Sequence, residues 1–484
     1  MKRWLKRFAA GVLVVLGLLA LVLFIGRASV QRTGERKLAD LTARLDATEP
    51  GWRIDEIEAR RLAASPPADQ NSAAIVRRTQ DRFPVEWENL NQSGGWPPEY
   101  LSNAHPDFIP FVWMLLFRDA TTSARDEARE ALLRPDVLAR PGGRYAITIA
   151  DNPLDTVLPH VQKSRLVFGF LNYDARLAAL EGNPDRGIRA ARAGLVASRS
   201  IGDEPIWISQ LVRMAGDRVA SQSAFQVLAW SEPKAGLAEL QAEFRAEADF
   251  PWIEVCLRGE RATLDKLFEN IQTGKLSSQN LSEFGVPSGL SGPILSYYRG
   301  FVPEDRAASL RIMTEYVEAS QRPYPEQMEA FARIPLPPRP PEDVRYLLSN
   351  LFLPSFAKIA QSGIRTRGEL LAASVAIACE RFRQANGRWP KTLDEIPKEI
   401  LPEIPSDPSN GQPMGYRVLP DGVAVFCVKD DDANTVRHRR ETRDPLAALG
   451  RGWKLWNPDL RGKPKPATPP PEDPVDQSGA TKTP

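Results

Sequence analysis

Asp430, Asp432 and Asn434 alternate within Lys429-Asp430-Asp431-Asp432-Ala433-Asn434, a spacing that can turn three side-chain oxygens toward one hard cation such as calcium. No glycine follows to make a sharp turn, so a solvated acidic turn is expected and calcium is the alternative. The other reactive side chains are scattered. His105, His160 and His438 share no local motif, which excludes H-E-x-x-H zinc chemistry. Gly182 to Gly187 has the glycine spacing of a phosphate loop but continues with Ile188 instead of lysine, and reads as a turn between helices. Gly289-Leu290-Ser291-Gly292-Pro293 lacks the last glycine of a nucleophile elbow. Cys256, Cys379 and Cys427 lie far apart with no C-x-x-C spacing, which excludes zinc ribbons and thioredoxin-like motifs; Cys379 and Cys427 sit in apolar patterns and read as small buried hydrophobes. A carboxylate pair for glycan hydrolysis is open to a chain with 61 acids, but that abundance singles out no pair. Trp453 and Trp456 could stack on a sugar and are expected in the core instead. Catalytic residues therefore stay unassigned, and no cofactor beyond the calcium alternative is expected.

The elements that must position these residues begin with Phe8 to Gly26, an unbroken run of 19 apolar or small residues. At 1.5 Å rise per residue it can cross a hydrocarbon core of about 30 Å. The next apolar run, Phe111 to Phe117, is too short to cross and reads as core helix. Lys2, Arg3, Lys6 and Arg7 precede the span, so the bulk of the chain is expected outside the cytoplasm, although Arg27, Arg32, Arg36 and Lys37 narrow that bias. A cleaved signal peptide ending at Gly26-Arg27-Ala28 is the alternative; the run is longer than a typical secretory core, which favours an uncleaved anchor. Net charge is +2, and the basic flank carries more positive charge than that excess, so the rest is slightly acidic and nucleic acid is excluded as a partner. Val436-Arg437-His438-Arg439-Arg440 reads as a solvated loop.

Six segments follow in order: a basic cytoplasmic flank over 1–7, the transmembrane helix over 8–26, a helical ectodomain over 33–334, a proline-rich linker over 335–341, an α+β module over 342–460 and a disordered proline-rich tail over 461–484. Leu38, Leu41 and Leu45 predict an amphipathic helix beyond the anchor, ended at Pro50-Gly51. Phe83 to Pro110 is expected to be irregular, with Trp87 and Trp96 buried. Alternation of Tyr145, Ile147 and Ile149 predicts one short strand. Leu154 to Glu247 predicts helical hairpins, broken first at Gly182-Asn183-Pro184 and again at Ser231-Glu232-Pro233. The fold class is thus mainly α: an N-terminal transmembrane helix, an α-helical-hairpin ectodomain and a small α+β C-terminal module.

In that module Leu371, Val375, Ala378 and Phe382 form one helical stripe that stops at Asn386-Gly387. Arg388-Trp389-Pro390-Lys391-Thr392-Leu393-Asp394-Glu395-Ile396 follows, then Leu401-Pro402-Glu403-Ile404-Pro405-Ser406-Asp407-Pro408, then strands over Gly415 to Leu419 and Val423 to Val428 joined at Pro420-Asp421-Gly422. This order, over about 90 of 484 residues, resembles the globular domain of type II secretion pseudopilins. The resemblance implies a long helix backed by a small antiparallel sheet, and a calcium-binding loop after the strands, where Asp430, Asp432 and Asn434 lie. A pseudopilin joins its membrane helix directly to this module and carries a glutamate five residues into that helix. Here the span lies more than 300 residues away and lacks that glutamate, so assembly into a pseudopilus is not implied. As a whole the chain resembles uncharacterised bacterial single-span membrane proteins with a helical ectodomain, which implies an address and an architecture. The expected role is a membrane-anchored, non-enzymatic interaction or scaffold protein of the cell envelope, with the lipid bilayer and an envelope protein as partners. The alternatives are an envelope hydrolase using a carboxylate pair and a secretion-linked component.

Overall fold

A computed structural model describes residues 2–83, 122–276, 296–339, 342–428 and 450–462. Among the described residues the chain is mainly helical, with one small sheet. The helices are α1 (Lys2–Thr48), α2 (Ile54–Ala63), α3 (Ser72–Gln80), α4 (Thr122–Leu132), α5 (Pro135–Leu138), α6 (Pro159–Leu180), α7 (Pro184–Arg199), α8 (Trp207–Trp230), α9 (Leu237–Ala248), α10 (Trp252–Thr273), α11 (Val302–Ser320), α12 (Tyr324–Arg333), α13 (Leu347–Phe352) and α14 (Pro354–Asn386). Three strands, β1 (Gly415–Leu419), β2 (Gly422–Val428) and β3 (Gly450–Trp456), pair antiparallel in the order β1-β2-β3.

The apolar run and the amphipathic stretch after it form one continuous helix, α1, because no proline interrupts Lys2 to Thr48. Its apolar half, long enough to cross a membrane, leaves the described side chains from Val12 to Ile25 exposed. Its second half lies along α11, where Leu45 joins Trp52 and Leu310 in a small core that Leu38 and Leu41 flank. The backbones come so close at Gly34 that a Cβ there would collide with Pro303 and Glu304.

Helix α6 ends at Leu180, and α7 restarts with Pro184 in its first turn and Asn183 accepting from the Arg186 N–H. Helices α6, α7 and α8 pack on one another through small residues; Ala178, Ala190, Ala191 and Ala193 are all buried. Helix α9 packs on α14, whose stripe Leu371, Val375, Ala378 and Phe382 is buried throughout. Gly387, at φ 67°, ends α14 in the left-handed conformation glycine tolerates best.

The proline-rich segment does not divide the hydrophobic core. One core joins Val167, Leu195 and Phe225 of α6 to α8 with Leu371 and Val375 of α14 and with Val425 and Trp453 of the sheet. A second joins Phe268 of α10, Met313 and Tyr316 of α11 and Phe331 of α12 with Phe356 and Ile364, which lie in the first half of α14. Helix α14 bridges the two.

The alternating segment Tyr145 to Ile149 has no regular secondary structure and pairs with no strand among the described residues. Side chains take the place of a sheet neighbour: Asn71 bonds both the N–H and the carbonyl of Arg144, Arg61 donates to the Tyr145 carbonyl, and Thr156 Oγ1 accepts from Ala150 N. Alternating burial therefore arose from packing against helices rather than from a pleated sheet.

Candidate functional site

A set of reactive groups lies where that segment meets α2, α3, α6 and the turn after α7. Helix α2 buries Arg61 against Glu58, with Nε 2.6 Å from Oε2 and Nη2 2.8 Å from Oε1. Tyr145 stacks on His160 with ring centroids 4.3 Å apart. His160 Nε2 lies 2.6 Å from Oε1 of the fully buried Glu204. The Tyr145 hydroxyl is 3.2 Å from Ser200 Oγ, and burial pushes its pKa up to about 12, so the phenol keeps its proton. Ser164 donates to the backbone carbonyl of His160 at 2.8 Å and accepts from Gln80 Nε2 at 3.2 Å.

A hydrolytic triad places its serine against the free nitrogen of a histidine and opens it to substrate. Here the Ser164 hydroxyl is committed to a carbonyl, and Tyr145, His160 and Glu204 line none of the grooves below. The cluster ties five elements together.

A second buried group sits between α7, α8 and α9. Arg213 bonds Glu247 at 2.9 Å through Nε and lies 3.4 Å over the Phe250 ring. Asp217 accepts from Ser198. Burial, reinforced by the Glu247 charge, pushes its carboxyl well above the ordinary aspartate range, against the opposing charges of Arg213 and Arg199. Both acids are sealed from solvent.

Among the described residues, grooves open to solvent carry charged side chains. One of about 560 Å³ lies between α1, α11 and the proline-rich segment, lined by Lys37, Leu41, Glu304, Leu336 and Tyr346. There Lys37 Nζ meets Glu304 Oε1 at 2.5 Å and the Tyr346 hydroxyl donates to the same oxygen at 3.1 Å. Another, of about 290 Å³, is lined by Arg245, Tyr324, Arg367, Glu403 and Asp407. Arg245 bonds Glu403 at 2.6 Å, Arg367 lies 4.2 Å over the Tyr324 ring, and Asp407 accepts from the N–H and hydroxyl of Ser409 at 2.9 and 2.7 Å.

Asp430, Asp432 and Asn434 lie outside the described residues, as do Trp87, Trp96, His105, Ser291 and the basic cluster around His438. Among the described residues no group of three or more His, Cys, Asp and Glu is placed to hold a metal ion. Trp453 is buried, stacks on Phe225 at 4.4 Å and donates to the Glu369 carbonyl at 2.8 Å; Trp456 is buried with Lys454 Nζ 3.7 Å over its ring. Both belong to the core, as do Cys256 and Cys379, while Cys427 is half-buried; all three cysteines are free. The Tyr145–His160–Glu204 grouping has no local signature, since 44 residues separate the histidine from its acid. Compared with protein-family models, curated proteins and solved structures, the chain finds no match.

Proposed function

We propose that this is a membrane-tethered, non-enzymatic scaffold of the cell envelope, with its folded body on the extracytoplasmic side and its helical surface offered to an envelope protein. The observation that carries the reading is the exposed apolar half of α1 running without a break into a half packed on the body. Gly26-Arg27-Ala28 lies inside that helix, whereas a signal peptidase takes its substrate extended, which supports an uncleaved anchor. Lys2, Arg3, Lys6 and Arg7 favour a cytoplasmic N-terminus. The sealed state of Glu204, Asp217 and Glu247 counts against a hydrolase, which needs its acid and base open to substrate. The order of α14, the Asn386-Gly387 stop and the sheet keeps the pseudopilin likeness as a proposal about this module's fold.

Two measurements test the reading. The full chain should stay in the membrane fraction after an alkaline wash, and a C-terminal reporter should be active only outside the cytoplasm. A photocrosslinker at the exposed Val157 or Val344 should then capture one envelope protein reproducibly in cells. A freely soluble cytosolic chain would overturn the address, and an anchored chain that captures nothing would overturn the scaffold role.

A further inference from the structure

We propose that the turn over 296–301 is a second membrane contact, in which Tyr297 and Arg27 seat in the headgroup layer of a phospholipid bilayer and set how the body stands on the membrane. This rests on the reading that α1 spans the bilayer. The exposed apolar side chains of α1 end at Ile25, and Arg27 is the next charged residue, so the boundary between hydrocarbon and headgroups falls within one helical turn of Arg27. Arg27 holds the turn at that level: its Nε donates to the Tyr297 carbonyl at 3.0 Å and its Nη2 to the Ser296 carbonyl at 3.3 Å. The guanidinium also lies 5.7 Å from the Tyr297 ring centroid, and Gly300 packs so close to the Arg27 side chain that a Cβ would collide with it.

Tyr297 is 47% exposed, although its neighbour Tyr298 is buried at 5%. Its ring meets Phe301 edge-on at 5.4 Å, leaving an amphipathic face open beside the lipid boundary. Tyrosine rings prefer this depth, where the ring lies among upper acyl carbons and the hydroxyl among headgroups, and an arginine beside them can reach lipid phosphate. The occupant we assign is lipid, because the face continues the apolar surface that α1 already offers to the bilayer. With α1 docked along α11 and the turn on the membrane, the body is held at two points and cannot swing about the anchor.

The test uses the full chain, with Cys427→Ser, reconstituted in phosphatidylcholine–phosphatidylglycerol vesicles. A nitroxide is placed singly through Ser296→Cys, Leu19→Cys or Val157→Cys, and its accessibility to oxygen and to a polar nickel chelate is read by power saturation. The oxygen-to-nickel ratio at 296 is expected to be several-fold above that at 157 and below that at 19. It should fall toward the value at 157 when Tyr297→Ser and Arg27→Gln are added. A ratio at 296 equal to that at 157, with 19 still in lipid, overturns the contact and leaves the span standing. A label at 296 shielded from both reagents also overturns it, since a protein surface or a second copy would then cover the turn. A water-like label at 19 removes the span itself, and the contact with it.

Discussion

Glu260 and Glu380 are buried carboxylates whose partners send them in opposite directions. Burial pushes Glu260 from an ordinary value of 4.5 up to about 7, against one N–H bond from Trp207 at 2.9 Å. Its folded form holds the proton more tightly than the unfolded chain, so the stability it contributes is full below pH 4.5 and is lost as pH rises to about 7. Burial likewise pushes Asp305 up, to about 6, with the same sign. Across that window the urea midpoint should fall with pH, and Glu260→Gln should flatten the slope; an unchanged slope would show that Glu260 is not its source. At Glu380 burial also raises the pKa, but hydrogen bonds from Arg461 and Arg383 outweigh it and hold the group below its ordinary value. Its contribution is present above the ordinary glutamate pKa and is lost as pH falls through the lower folded one. Glu380→Ala would leave the buried side chains of Arg383 and Arg461 without their shared partner, for a loss of about 3–5 kcal/mol in denaturant unfolding. None of these partners is near in sequence except Arg383, so only that pair was legible from spacing.

At the scale of elements, the contact between α1 and α11 fixes the long N-terminal helix to the body. Gly34 permits it, and Lys37 with Glu304 closes it. Gly34→Val should force the helices apart at a cost of about 1–3 kcal/mol, read as a lower Tm and faster proteolysis within 35–48. Gly17→Val, on the same helix with nothing within 4 Å, should leave both unchanged. The leucine spacing announced a helix over Glu35 to Leu45 but carried no sign of what it would pack against, because an apolar stripe specifies burial and not its partner. Tyr145 to Ile149 makes the complementary point: alternation marked which side chains go inside, and the choice between a strand and an unpaired segment capped by Asn71 and Arg61 depended on residues more than 70 positions away.

Across the whole molecule, α14 and the sheet share a core with α6 to α8, so the helical layer and the C-terminal module should unfold together. Helical circular dichroism and tryptophan fluorescence are expected to report one coincident transition; two separated transitions would mean independent units. Trp453→Ala, which empties the space against Phe225, should lower that single transition by about 3–5 kcal/mol rather than release the sheet alone.

Local sequence was enough for the helix long and apolar enough to cross a membrane, the helical character of most of the body, the turn at Gly182-Asn183-Pro184 and the β1-β2 pairing, since each depends on neighbours within a few turns of chain. Only the tertiary structure decided that α14 bridges two cores across a proline-rich segment, that Tyr145, His160 and Glu204 meet, and that the turn over 296–301 lies beside Arg27. The physical reason is the same in each case: local propensity and periodicity are short-range properties, whereas these contacts join residues from about 15 to about 270 positions apart and exist only once helices have chosen their partners.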